Sequence, residues 1–201
     1  MKLTDESLAD DPLFRIWVTR GCYFILADRL KRKSRYSNGS ITILSFYVIV
    51  ISIIDIAFGS ALPANFDAFI PPITVILSVF IIIITLLEQS KEYRLEAEYS
   101  EQTAHKLEDL FGRFEAFRLG VATGDEAAFR TEYSNVLISA RTTRRTIDYI
   151  WFQLTNASDL KLRAPKVLLL SASLAWTGAL EYWIYAAMVL LPPIGGMLLI
   201  I

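Results

Sequence analysis

Two carboxylates stand where carboxylates are costly. Asp55 closes a charge-free run that begins at Tyr36, and Glu181 is the one charge between Val167 and Ile201. An ionisable group within hydrocarbon faces a bundle interior, water or a partner. The chemistry these two offer is therefore ion contact or gating at a pore. For Asp55 the competing position is the outer headgroup layer, because Gly59, Ser60 and Pro63 follow closely. Ser45, Ser52, Thr74 and Ser78 are the remaining candidates for a pore lining, although such hydroxyls more often bond their own helix or a neighbour.

Arg141, Arg144 and Arg145 fall within about one turn of a helical reading. The trio could bind a phosphate or an acidic partner. A solvated face or an inner-leaflet anchor weighs more, and direct nucleotide binding is not expected. His105 has no cysteine or second histidine at ligand spacing, so no metal site is expected. Cys22, the one cysteine, excludes an internal disulfide and fits a reducing compartment; it reads as a small apolar packing residue. There is no GxSxG, P-loop or HExxH motif, and no paired carboxylates on a soluble face. The chain reads as no enzyme, with no cofactor.

The elements that must carry these residues begin with two apolar runs. Tyr36 to Ile54 and Ala68 to Leu87 hold no charge, and each has about the 20 residues needed to cross about 30 Å of hydrocarbon. Buried strands stop sooner, and a lone spanning segment must be helical to satisfy its backbone. The fold class expected is all-α and membrane-embedded. It comprises an N-terminal amphipathic helix, a transmembrane hairpin, a long cytoplasmic antiparallel helical hairpin, and a C-terminal apolar helix that is a possible third span. The corresponding segments are 1–35, 36–88, 89–160 and 161–201.

Overall charge points to no nucleic-acid partner, since 20 Lys+Arg nearly cancel 21 Asp+Glu. Its distribution is more telling. Lys31, Arg32, Lys33 and Arg35 immediately precede the first run, Lys91 and Arg94 follow the second, and the turn beyond Asp55 has no Lys or Arg and only Asp67 as a charge. The positive-inside rule then puts both hairpin ends in the cytoplasm and the Pro63/Asp67 turn outside, with the four basic residues as anchors. The polar, acidic start of the chain lacks the pattern of a signal peptide.

From Pro12 to about Lys33, Phe14, Trp17, Val18, Gly21, Ile25 and Leu26 form an apolar stripe at helical spacing, better suited to packing on a partner helix than to lying on lipid. Ser34 to Ser40 is rich in turn formers and reads as a hinge before the first membrane helix. A helix from Glu88 to Leu119, continuous with the membrane, carries Tyr93, Ala97, Ser100, Ala104, Leu107, Phe111 and Phe114 on a coiled-coil seam. Gly120 to Gly124 interrupts it. Thr123 and Glu126 read as a capping box that opens a second helix reaching Leu154, with Phe129, Tyr133, Val136 and Ala140 on its seam. These seams can close on each other or on copies of the chain. Near the C-terminus, Val167 to about Leu191 is long enough to span, with Pro192-Pro193 and Gly195-Gly196 expected to break it; the alternative is an interfacial or re-entrant segment with Trp176, Tyr182, Trp183 and Tyr185 at headgroup level.

With that order in place, Arg35-Tyr-Ser-Asn38 stands before Ile43-Leu-Ser-Phe-Tyr47, followed by Tyr93-Arg-Leu-Glu-Ala97, His105, Phe111-Gly-Arg-Phe114 and Asp148-Tyr149. On these residues and their order, the chain resembles the SLATT family of prokaryotic two-transmembrane effector domains. The similarity covers roughly residues 12–155 and is closest to the branch found beside reverse transcriptases. It implies a membrane effector of anti-phage, abortive-infection systems in the bacterial inner membrane, one that forms a pore when a partner signals, often a nucleotide-signal or reverse-transcriptase module. Sensing, partner contact and homo-oligomer assembly would fall to residues 91–154, with Tyr93, Arg94, His105, Arg141, Arg144 and Arg145 as candidate contacts. A non-conducting membrane scaffold that recruits a soluble partner is the alternative.

Overall fold

Every third or fourth residue from Ile16 to Leu44 returns to one face of a helix: Ile16, Thr19, Tyr23, Leu26, Leu30, Ser37, Ser40 and Leu44 are all buried, and Lys33, half-buried, fills the gap in the series. In the computed structural model this face belongs to one helix, α1, spanning Pro12–Phe58. The structure describes residues 11–58, 64–160, 162 and 164–198. Five helices follow: α2 (Ala64–Gln89), α3 (Tyr93–Arg118), α4 (Glu126–Ser139), α5 (Thr146–Thr155) and α6 (Ala164–Leu198). Among the described residues there is no strand.

The expected hinge at Ser34 to Ser40 is absent. Turn-forming residues are only a weak preference against helix, and tertiary partners override it. Ser37 and Ser40 are buried at seam positions, and Thr42 returns its hydroxyl to the Asn38 carbonyl at 2.9 Å. The opposite correction applies after the second apolar run, where an unbroken helix into α3 was expected. Ser90 donates its hydroxyl to the Leu87 carbonyl at 2.8 Å, and Glu92 adopts a left-handed φ of 45°, which ends one helix and starts another.

Residues Met1–Arg32 and Tyr93–Thr177 form one compact unit, and Lys33–Glu92 with Gly178–Ile201 form a second. The first unit's core is α1 against the α3 seam. Tyr23, Leu26 and Leu30 meet Ala97, Ala104 and Leu107, and α4 covers them with Tyr133, Val136 and Leu137. A neighbouring cluster joins Ile16 to Leu110 and Phe114, with Phe117 and Phe129 packed beside it. The seam on α3 is therefore buried within one chain, by α1 as well as by α4. The stripe read along Phe14, Trp17 and Gly21 meets α5 instead. The Trp17 and Phe152 rings pack edge-on at 4.8 Å, and a Cβ on Gly21 would overlap the Phe152 ring.

The second long helix divides differently from expectation. The start at Thr123 moves to Asp125, whose side chain accepts the Ala127 N–H at 3.2 Å. The helix then stops at Ser139 and restarts at Thr146. Side chains from two other helices hold this break open: Tyr23 donates to the Thr142 carbonyl at 3.3 Å, and the Ser100 and Thr142 hydroxyls bond at 2.9 Å. Gly120, with φ 73°, closes α3; its N–H reaches the Phe117 carbonyl and that of Val121 reaches Ala116.

In the second unit, α1 and α2 each contain a stretch long and apolar enough to cross a bilayer. Large side chains such as Phe46, Ile49, Ile53, Val75, Ile76, Phe80 and Ile83 lie exposed along them. α6 continues through Pro192-Pro193 and Gly195-Gly196, where a break was expected, to Leu198. Prolines are tolerated within apolar membrane helices when neighbours satisfy the freed carbonyls, and α2 likewise contains Pro71 and Pro72.

Candidate functional site

Asp148, in the first unit, is a carboxylate with no solvent exposure. Its Oδ1 accepts the Arg29 Nε at 2.9 Å and its Oδ2 accepts Arg29 Nη2 at 3.3 Å. Oδ2 also accepts the Arg145 backbone N–H at 2.8 Å, which caps α5. The forked guanidinium and the capped amide together supply the three donors a buried carboxylate needs. The local signal at this pair is position: Arg29 adjoins Leu30 on the seam, while Asp148 sits among Ile147, Tyr149, Ile150 and Trp151.

The network extends around α1. Arg144 donates to Thr19 Oγ1 at 3.1 Å and lies 5.8 Å from the Tyr23 ring centre. Thr19 also bonds the Tyr133 hydroxyl at 2.9 Å. Beside it, burial pushes the Cys22 thiol up to about 11, against the pull of the Arg144 guanidinium. Cys22 is the buried apolar packing residue expected of it.

The arginine trio does not share a helical face, because it falls in the break between α4 and α5. Arg141 stacks on Tyr99 at 4.7 Å and donates to its hydroxyl at 2.8 Å. Arg144 turns toward Thr19, and Arg145 supplies the α5 cap. Tyr93 packs against the core, and Arg94 is exposed. His105 is exposed, edge-on to Phe24 at 5.3 Å and 3.3 Å from Glu108. Among the described residues no group of His, Cys, Asp or Glu is placed to hold a metal. Of the anchor residues, Lys31 pairs with Glu101 at 2.8 Å and Arg32 lies over the Trp151 ring at 5.5 Å; Lys33 is half-buried and Arg35 exposed.

In the second unit, the candidate lining hydroxyls all turn inward on their own helices. Ser45 donates to Ile41, Ser52 to Val48, Thr74 to Ile70 and Ser78 to Thr74, at 2.7–2.9 Å. Asp55 is half-buried near the end of α1. Glu181 lies on α6, with its side chain outside the described residues. One polar cluster here escaped the sequence reading. Glu88 Oε2 accepts the Ser37 hydroxyl at 2.8 Å and the Tyr185 hydroxyl at 3.2 Å, while Oε1 pairs with Lys91. It gathers α1, α2 and α6 around one carboxylate.

A family model described as SMODS and SLOG-associating 2TM effector domain family 5 matches residues 5–199. The chain belongs to this family. No curated protein and no solved structure gave a match. The resemblance drawn from residues 12–155 thus holds for nearly the whole chain, α6 included. That description does not mention reverse transcriptases. Among the described residues, α1 and α2 carry the two stretches long and apolar enough to cross a membrane, in keeping with a 2TM domain, and the fold is that of an all-α membrane protein.

Proposed function

We propose that this chain is the membrane effector of a prokaryotic conflict system. Copies assemble in the inner membrane and breach it when a partner module signals, a nucleotide-signal or reverse-transcriptase protein being the expected partner. The family match across residues 5–199 carries this reading. It is supported by the unburied apolar faces of α1 and α2 and by basic residues at Lys31 to Arg35 and at Lys91 and Arg94, which favour a cytoplasmic first unit. The effector acts physically and not as an enzyme. Arg141 and Arg144 are engaged with Tyr99 and Thr19, which argues against a nucleotide site at the trio.

Conduction requires assembly on this reading, since the hydroxyls of Ser45, Ser52, Thr74 and Ser78 are occupied within their own helices. Asp55 and Glu181 are then the groups proposed for the pore path. The same hydroxyl geometry favours a second reading, a non-conducting scaffold that recruits a soluble partner through the first unit. A potential-sensitive dye in bacteria expressing the chain with its genomic neighbour separates the two. The effector depolarises the membrane before lysis, whereas the scaffold leaves the potential unchanged with protein confirmed in the membrane.

A further inference from the structure

The family description counts two membrane helices, yet α6 meets the base of both. The Tyr36 and Tyr182 rings pack at 4.9 Å. Four residues along α1, Ser40 Oγ lies 3.5 Å from the Tyr185 carbonyl, three residues along α6. Between these levels Ser37 and Tyr185 converge on Glu88 of α2. The numbering rises together on α1 and α6, so the two helices run parallel; an antiparallel pair would show it falling on one. α1 proceeds from this level into its apolar stretch, and α6 must proceed beside it. Tyr182 to Leu198 carries no charge and at about 1.5 Å per residue extends about 25 Å. Trp183 and Leu190 on this segment are exposed. A water-facing helix would not leave such a surface uncovered beside two bilayer-crossing neighbours.

We infer that residues 182–198 form a third membrane helix, entering the bilayer from the same face as α1 and parallel to it. It is clasped at the entry level by Glu88 through Ser37 and Tyr185, with Trp183 and Leu190 facing lipid acyl chains. The third span expected from sequence was Val167 to Leu191; the register set by Tyr36 and Ser40 moves it toward the C-terminus. The inference rests on α1 and α2 crossing the membrane and not on conduction.

The test places a thiol-reactive fluorophore on Leu190→Cys in the full chain, reconstituted in phosphatidylethanolamine–phosphatidylglycerol vesicles. Ile76→Cys and Leu119→Cys serve as apolar-stretch and first-unit references, and the buried native thiol stays unlabelled. Quenching of the Leu190 probe by doxyl-labelled lipid should match that of Ile76 and exceed that of Leu119 at least about two-fold, with iodide giving the reverse order. A Leu190 probe that responds to iodide while Ile76 responds to lipid overturns the inference. A probe shielded from both quenchers puts protein where lipid is proposed, and also overturns it. Loss of the lipid response at Ile76 as well removes the membrane reading of the hairpin. Oxidative crosslinking checks direction independently: Leu44→Cys/Val189→Cys should crosslink along with Tyr36→Cys/Tyr182→Cys, and failure of the first pair alone overturns the parallel arrangement.

Discussion

Asp148 and Arg29 come from positions 119 residues apart and meet with almost no water between them. Removing one partner leaves the other charged and buried, which typically costs about 3–5 kcal/mol, whereas replacing both with apolar residues of similar size is far milder. Asp148→Ala should therefore lower unfolding free energy in detergent by about that amount, and Arg29→Met/Asp148→Leu by much less. A double-mutant cycle read by thermal unfolding checks this; equal losses for single and double variants would reject the pair as a unit. Cys22 gives a second reading of the same core. Its thiol is buried, and burial pushes its pKa up to about 11, so at neutral pH a thiol reagent should react only after unfolding, and labelling should follow the unfolding curve.

Among the helices, α1 and α5 approach so closely that one glycine is required. A methyl at Gly21 would enter the space of the Phe152 ring, so Gly21→Ala should destabilise by about 1–3 kcal/mol, the usual cost of overpacking. A smaller side chain at Phe152 should recover part of that loss, measurable as a partial return of melting temperature in Gly21→Ala/Phe152→Leu. Gly120 is needed for a different reason: its φ of 73° is left-handed with open space around it. Gly120→Ala should cost about 1 kcal/mol without any clash, and no compensating substitution nearby should restore it.

Across the molecule, what could be read in advance was what repeats locally. The charge-free runs at Tyr36 and Ala68, and the α3 seam from Ala97 to Phe114, are patterns within one segment: the runs lie on the two helices with stretches long and apolar enough to cross a bilayer, and burial follows the seam. Helix ends were less legible, because distant partners set them. Nothing near Thr142 announces that Tyr23 and Ser100 will hold it out of a helix. Nothing near Ser37 announces that Glu88 will keep it in one. Glu88 and Asp148 escaped notice as sites for the same reason: Glu88 takes donors from α1 and α6, and Asp148 takes the Arg29 guanidinium from α1.

The buried face running from Ile16 to Leu30 along α1 keeps one rotational phase within the first unit. One alanine inserted after Phe24 would turn Leu26 and Leu30 by about 100° relative to Ile16, Thr19 and Tyr23. The exposed turn from Val121 to Asp125 has no helical phase to lose. The chain should thus tolerate one added residue in that turn better than after Phe24, as judged by thermal unfolding in detergent.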